Sequence, residues 1–233
     1  GAIIGALAAF LSVKGNPANM GICIACFTRD LAGALGLHRA AAVQYIRPEI
    51  IGIVIGATIS SALSKEFVPK GGSSPAIRFF LGFFAMIGAL VFLGCPWRTL
   101  LRIAGGDING IFGLIGIIIG GGIGVFFWKQ NYSLGASKNY NNKFVGFLPI
   151  IISLILLALL LSKIKFSENG AIFFSESGPG SMKAPIIISL IVSIIIGFIA
   201  QKSRFCTVGG VRDGIFMKDF HMKQGVVAFI VAA

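Results

Sequence analysis

Charge is what this sequence has least of. Of its 233 residues only 12% are charged, against roughly 25% in an ordinary soluble domain. Acid is the scarcest: 8 Asp and Glu stand against 20 Lys and Arg, a formal net charge of +12. So few charges cannot cover a water-exposed surface, which excludes a soluble globular domain. Histidine occurs twice, as His38 and His221. Neither has a second ligand at metal-binding spacing, so both read as loop or interface residues. The four cysteines, Cys23, Cys26, Cys95 and Cys206, lie within or beside apolar segments. That placement excludes a secreted disulfide framework and fits reduced thiols in a membrane core. There is no nucleotide-binding motif, no evident proton relay, and no signal peptide with a charged n-region and cleavage site. No cofactor, no metal and no catalytic residue are expected, so the chain does not read as an enzyme.

What is abundant is apolar sequence. Hydrophobic residues make up 56% of the chain and mean hydropathy is +0.91. The apolar residues come in runs of membrane-spanning length, and about 20 such residues cross the hydrocarbon core. Basic residues gather in the short connections between runs, as the positive-inside tendency predicts. No basic face with interleaved aromatics is present, which argues against a nucleic-acid partner; the excess positive charge favours an anionic one.

Along the chain, an apolar stretch at 2–13 meets the breaker cluster Gly15-Asn16-Pro17-Ala18-Asn19-Met20-Gly21. A short, charged segment at 22–37 follows and reads as a re-entrant helix. Spans are expected at about 50–63 (extended upstream by 40–46), 77–94, 108–128, 144–161 and 185–200. A second short helix is expected at 99–104 and a third at 205–217. The run 225–233 reads as the start of a further span, and both chain ends are expected to be cut. The connection 129–143 carries Lys and no acid, placing it in the cytoplasm. The loop 162–184, with Glu168 and Glu176, is expected on the other side. Of the 32 glycines, pairs such as Gly52/Gly56, Gly116/Gly120 and Gly120/Gly124 sit at the small-xxx-small spacing that lets helices approach closely in lipid.

The chain repeats itself. Cys23-Ile24-Ala25-Cys26-Phe27-Thr28-Arg29-Asp30 and Cys206-Thr207-Val208-Gly209-Gly210-Val211-Arg212-Asp213 share Cys-x5-Arg-Asp, each after an apolar span and a polar break. Counting crossings, the span before Cys23 is first and the span before Cys206 sixth, so the copies run in opposite directions, as in inverted-repeat transporters. The counterpart of Cys95 in the second copy is expected beyond Ala233. The fold class expected is an all-α integral membrane protein, a C-terminally truncated inverted-repeat bundle with short re-entrant or broken helices. It forms one transmembrane transport domain over 1–233: repeat one at about 1–128, a linker at about 129–144, and repeat two from about 145.

Cys23, Cys95 and Cys206 each sit where a short helix is interrupted, and each has an Arg a few residues downstream. Broken helices expose backbone N–H groups where anions bind, and irregular backbone at membrane depth is tolerated only inside protein or along a cavity. Cys23 and Cys26 form C-x-x-C without the βαβ context of a redox motif. Cys26 is replaced by Gly209 in the second copy and ranks below Cys23. Arg29, Asp30, Arg212 and Asp213 are ionisable residues beside apolar segments, facing either a pathway or an interface; Arg98, Arg102 and Asp107 do the same around Cys95. Arg47-Pro48-Glu49 reads as the interfacial start of a span.

At Gly15 to Cys23, at Gly94-Cys95-Pro96-Trp97-Arg98 and at Ser203 to Asp213, the chain resembles the YeeE/YedE sulfur-transport family, nearest its selenium-transporter branch. The resemblance covers essentially the whole chain. It implies an all-helical, multi-pass protein of the bacterial inner membrane with a central narrow path. Matched by motif, Cys23, Cys95 and Cys206 would handle a small sulfur- or selenium-containing anion such as thiosulfate. Arg29, Asp30, Arg98, Arg212, Asp213 and Asn19 would support them, and a cytoplasmic sulfurtransferase or TusA-like sulfur carrier would be a partner. Two readings of other classes stay open: a membrane thiol-disulfide oxidoreductase, and a non-transporting membrane subunit for a sulfurtransferase.

Overall fold

The computed structural model describes residues 1–139, 143–162, 172–216 and 219–233. Its helices are α1 (Ala2–Val13), α2 (Ile24–Ala34), α3 (Pro48–Leu63), α4 (Pro75–Val91), α5 (Pro96–Ala104), α6 (Ile108–Lys129), α7 (Lys143–Leu161), α8 (Ile186–Ser203), α9 (Thr207–Phe216) and α10 (His221–Ala232). The only strands among the described residues are β1 (Lys70–Gly71) and β2 (Lys138–Asn139), paired antiparallel. This is an all-α membrane protein. Five stretches are long and apolar enough to cross a bilayer: Ala41–Leu63, Pro75–Ala104, Ile108–Lys129, Phe144–Leu161 and Ile186–Ile215. On α4, Phe79, Phe80, Phe83 and Phe84 all point away from the protein. In water such a face would aggregate; in hydrocarbon it is the solvent-compatible side.

Helix starts follow local chemistry. Pro48, Pro75 and Pro96 occupy the first turn of α3, α4 and α5, where proline's missing N–H costs nothing. The second short helix accordingly begins at Pro96 rather than at Thr99. Asp107 caps α6, its carboxylate accepting from the Asn109 N–H at 2.9 Å. The expected upstream extension of this span is present from Ala41, but as a single 3-10 turn, Ala41–Val43, followed by extended chain rather than as continuous α-helix. Pro48 disfavours helical backbone in the residue before it. Gln44 instead exchanges hydrogen bonds with Ser175, donating its N–H to Oγ at 2.7 Å and accepting from Ser175 N–H at 2.8 Å. Glu176 lies on this described stretch; Glu168 and the rest of 163–171 lie outside the described residues.

Two helix pairs form the interior. On α3, Gly52 lies against Leu190 and Ser193, and Gly56 against Ile194 and Phe198, while Gly197 of α8 lies against Ile53. On α1, Gly1 lies against Gly225 and Gly5 against Phe229 of α10. In both pairs ascending positions meet ascending positions, so α3 runs parallel to α8 and α1 parallel to α10. A Cβ at any of these glycines would strike facing backbone or side-chain atoms, so glycine is what sets the helix separation. The stripe on α6 differs. Nothing lies within 4 Å of a Cβ built on Gly116, Gly120 or Gly124, so the close contact expected there from spacing is absent among the described residues.

Gly56→Leu is therefore expected to destabilise the folded state by about 1–3 kcal/mol, the cost of overpacking. Gly120→Leu is expected to stay within about 0.5 kcal/mol, as at open positions. Thermal unfolding of the two variants in detergent separates these outcomes; equal losses would mean that α6 is also packed.

Candidate functional site

Three helices stop just before three cysteines. The N–H of Asn16 bonds back to the Leu11 carbonyl, that of Gly94 to Ala89, and that of Phe205 to Ala200. Each is the six-residue bond of a helix ending in a left-handed residue. The left-handed residues are Gly15 (φ 124°), Leu93 (φ 59°) and Arg204 (φ 52°); outside glycine this conformation costs about 1–2 kcal/mol. The chain then turns extended and a new short helix starts. Cys23 is the N-cap of α2 and Cys95 that of α5, and Cys206 immediately precedes α9. Cys23 Sγ accepts from the Cys26 N–H at 3.4 Å and Cys206 Sγ from the Gly209 N–H at 3.3 Å. Oxygen-bearing side chains are the strong choice at this position, so stability alone gives no reason for cysteine at three such starts.

The three starts converge. Cys23, Cys26 and Cys95 belong to one buried cluster, together with Ala25 of α2. Cys95 and Cys206 both line one cavity of about 430 Å³, walled also by Ile24, Ala25, Trp97, Phe205 and Thr207, with Gly82, Ala85, Met86 and Ala89 of α4 closing one side. No acidic or basic residue is among its lining. Thr207 Oγ1 is buried without a partner among the described residues, an unmet polar group at the wall of a mostly apolar cavity. Exposure falls along the series: Cys206 is exposed, Cys95 is 7% exposed and Cys23 fully buried. The four cysteines are free thiols.

The charged residues sort differently. Arg29 and Arg212 each bond the Asp that follows, Nη2 to Oδ1 at 2.7 Å in both cases, so the repeated Arg-Asp makes the same local ion pair twice. Asp30, however, is fully buried and its second oxygen takes Arg47 at 2.8 Å. Arg47 also donates to the carbonyls of Pro179 (2.7 Å) and Met182 (3.0 Å), and its guanidinium lies over the Phe27 ring at 4.7 Å. Arg47-Pro48-Glu49 does open α3, with Arg47 as its N-cap. Arg47 and Glu49 are both buried, because they tie α2, α3 and the segment before α8 together. Asp30 belongs to that tie. Asn19, left-handed at φ 53°, packs against Gly105 at the end of α5 and not against a thiol. On α9, Arg212 is half exposed and Asp213 mostly covered. Arg102 bonds Asp107 at 2.6 Å and, with Asn109, holds the Asp107 carboxyl below the usual carboxylate range. His38 Nε2 donates to the Arg29 carbonyl at 2.9 Å; His221 opens α10.

Sequence reasoning missed Asn16. Its side chain donates to Glu49 Oε1 (2.7 Å) and to the Gly21 carbonyl (3.0 Å), and accepts from the Ala184 N–H (2.9 Å). Ser189 also donates to Glu49 Oε1, at 3.0 Å. Asn16 supplies the polar partners that a break inside lipid cannot take from water; its place between Gly15 and Pro17 was the available signal. Cys26 was also under-read, since it touches Cys23 and receives Arg98 Nη1 at 3.2 Å.

Comparison with family models, with curated proteins and with solved structures finds no match.

Asp30→Ala is expected to cost about 3–5 kcal/mol, because it leaves buried Arg47 without its carboxylate. Asp213→Ala, whose partner Arg212 is half exposed, is expected to cost about 0–1 kcal/mol. Unfolding midpoints in detergent test the contrast; similar losses would show that the two Arg-Asp pairs are equivalent.

Proposed function

We propose that this protein passes a small sulfur- or selenium-containing anion, such as thiosulfate or a selenium analogue, across the bacterial inner membrane along a file of cysteine thiols. The observation that carries the reading is the convergence of three interrupted helices whose first residues are Cys206, Cys95 and Cys23, two on one cavity and the third in one buried cluster with the second. A terminal sulfur or selenium is large and polarisable and accepts weakly from S–H donors. The short-helix starts aim backbone N–H groups at the same space, adding partial positive charge without a fixed counter-ion. Several weak sites in series admit an ion without trapping it. No thiol changes oxidation state in this scheme.

The inverted-repeat reading is supported by helix direction. Exchanging α1 with α8 and α3 with α10 turns the α3–α8 pair into the α10–α1 pair, and both are parallel and packed on glycine. If α2 does not cross, α1 and α3 are antiparallel neighbours in the chain. Parallel α3 and α8 then make α8 antiparallel to α1, the relation inverted repeats require. The resemblance to the YeeE/YedE family agrees with this arrangement.

One observation favours a second reading. Cys23, Cys26 and Cys95 lie together in one buried cluster, as thiols that exchange disulfides must. A thiol-disulfide oxidoreductase would show alkylation mass shifts that change between oxidised and reduced membranes; thiols that remain free in both would exclude it.

In the intact protein, Cys95→Ala or Cys206→Ala is expected to lower uptake of labelled thiosulfate at least about tenfold, the effect of about 1.4 kcal/mol on the barrier, with unchanged membrane levels. Normal uptake by both variants removes the thiol path.

A further inference from the structure

The thiol cavity has no means of holding charge. Its lining contains no Lys, Arg or His, yet an oxyanion crossing a membrane needs its negative end met somewhere along the way. Among the described residues the arginines show where. Arg29, Arg47, Arg102, Arg204 and Arg212 each hold a carboxylate, and Arg39 and Arg78 are exposed. Arg98 alone is partly buried with no carboxylate at ion-pair distance among the described residues. Its stem folds over Gly94, Nη1 donates to Cys26 Sγ at 3.2 Å, and Nε is buried with no partner. A thiol sulfur is a weak acceptor and Nε has no partner among the described residues, so the donors of this guanidinium are not saturated, a costly condition in a membrane interior. The surroundings do not offset it: Arg29 also acts electrostatically on Cys26, and Arg29 and Arg47 share the single carboxylate of Asp30. Arg29 and Arg98 thus both bring positive charge to bear on Cys26.

We propose that Arg98 and Cys26 form an oxyanion-binding site at the buried end of the thiol file, holding the oxygens of a tetrahedral thio- or seleno-oxyanion on the guanidinium. The inference rests on the transport reading for its substrate class. The file then runs Cys206, Cys95, Cys23, Cys26, with uncharged thiols leading and the cation at the end. The planar fork of arginine matches two oxygens of such an ion, and Nε is one of the donors that a bidentate contact uses.

The test is site-resolved labelling of the full-length protein in membranes with anionic sulfonatoethyl and cationic trimethylammonioethyl methanethiosulfonates. Cys26 is expected to react roughly tenfold faster with the anionic reagent, at the low end of rate enhancement by a charged cleft. Thiosulfate is expected to slow that reaction. The preference should fall towards unity in Arg98→Gln and persist in Arg98→Lys. Equal rates in the unmodified protein, a Cys26 that fails to react, or absence of thiosulfate protection would overturn the site, and none of these needs a variant to fold. Labelled thiosulfate uptake separates the two claims. If Cys95→Ala transports normally while the charge preference at Cys26 holds, the thiol path fails and the anion site stands. If Cys95→Ala is inactive while Cys26 shows no preference, the site fails and the path stands.

Discussion

A helix that ends inside hydrocarbon strands its last carbonyls and the next helix's first N–H groups, and no water is there to take them. Most of this structure answers that constraint. The endings of α1, α4 and α8 fold back on their own carbonyls through left-handed residues. The longest break, 15–22, needs more, and Asn16 supplies it by bonding the Gly21 carbonyl, the Ala184 N–H and Glu49 at once. Glu49 is held in turn by Ser189, which carries the same network into α8. The break and the α3–α8 contact are therefore one structure: glycines bring the helices close, and the closeness lets Glu49 reach across. At two of the short-helix starts the N–H three residues on, of Cys26 and of Gly209, is taken by the sulfur of Cys23 and of Cys206.

The repeated Cys-x5-Arg-Asp shows how two copies of one pattern diverge under this constraint. Both copies keep the same adjacent ion pair and the same thiol at the helix start. Around Asp30 the first copy adds Arg47 and two carbonyls of the segment before α8 and becomes fully buried. The second copy keeps Asp213 near the surface of the described chain, with Arg212 half exposed. A shared sequence element thus serves as an internal clasp in one half and as a peripheral pair in the other. The cysteines, by contrast, keep the same local geometry, each sulfur accepting from the N–H three residues on. Where a duplicated motif keeps one residue's geometry and lets its neighbours' roles drift, the kept residue is the better candidate for function.

Hydropathy made the spans legible, and Gly, Pro and Asn clusters made the breaks legible, because both signals are local. The helix boundaries of α1, α6 and α7 lie within one residue of expectation and those of α4 within three. What stayed hidden depends on contacts far apart in the chain. Arg47 next to Pro48 has the local look of a helix entering from the interface. Only the carbonyls of Pro179 and Met182, more than a hundred residues later, reveal it as buried. Spacing equally could not separate Gly52/Gly56 from Gly116/Gly120, since the stripe is the same and the difference is whether a helix lies opposite. Cys26 was set aside because the second copy has Gly209 in its place. That argument weighs symmetry, whereas the contact that matters is with Arg98, which belongs to neither copy of the motif.

A permeation path must bind its ion enough to strip water from it and weakly enough to let it go. Charged side chains along the whole path would meet the first need and defeat the second, since a guanidinium and an oxyanion in a low-dielectric interior hold each other strongly. Thiols and half-helix N–H groups supply partial charge in small steps. Under the proposed transport reading, Arg98, which has no carboxylate at ion-pair distance among the described residues, would stand behind the thiols rather than among them and would give the ion a reason to move inward past each weak site. Tight binding would then be confined to one position, beside Arg29. On this view the scarcity of charge that marks the sequence is part of how the path works, because each added fixed charge along the file would be another place for the ion to stop.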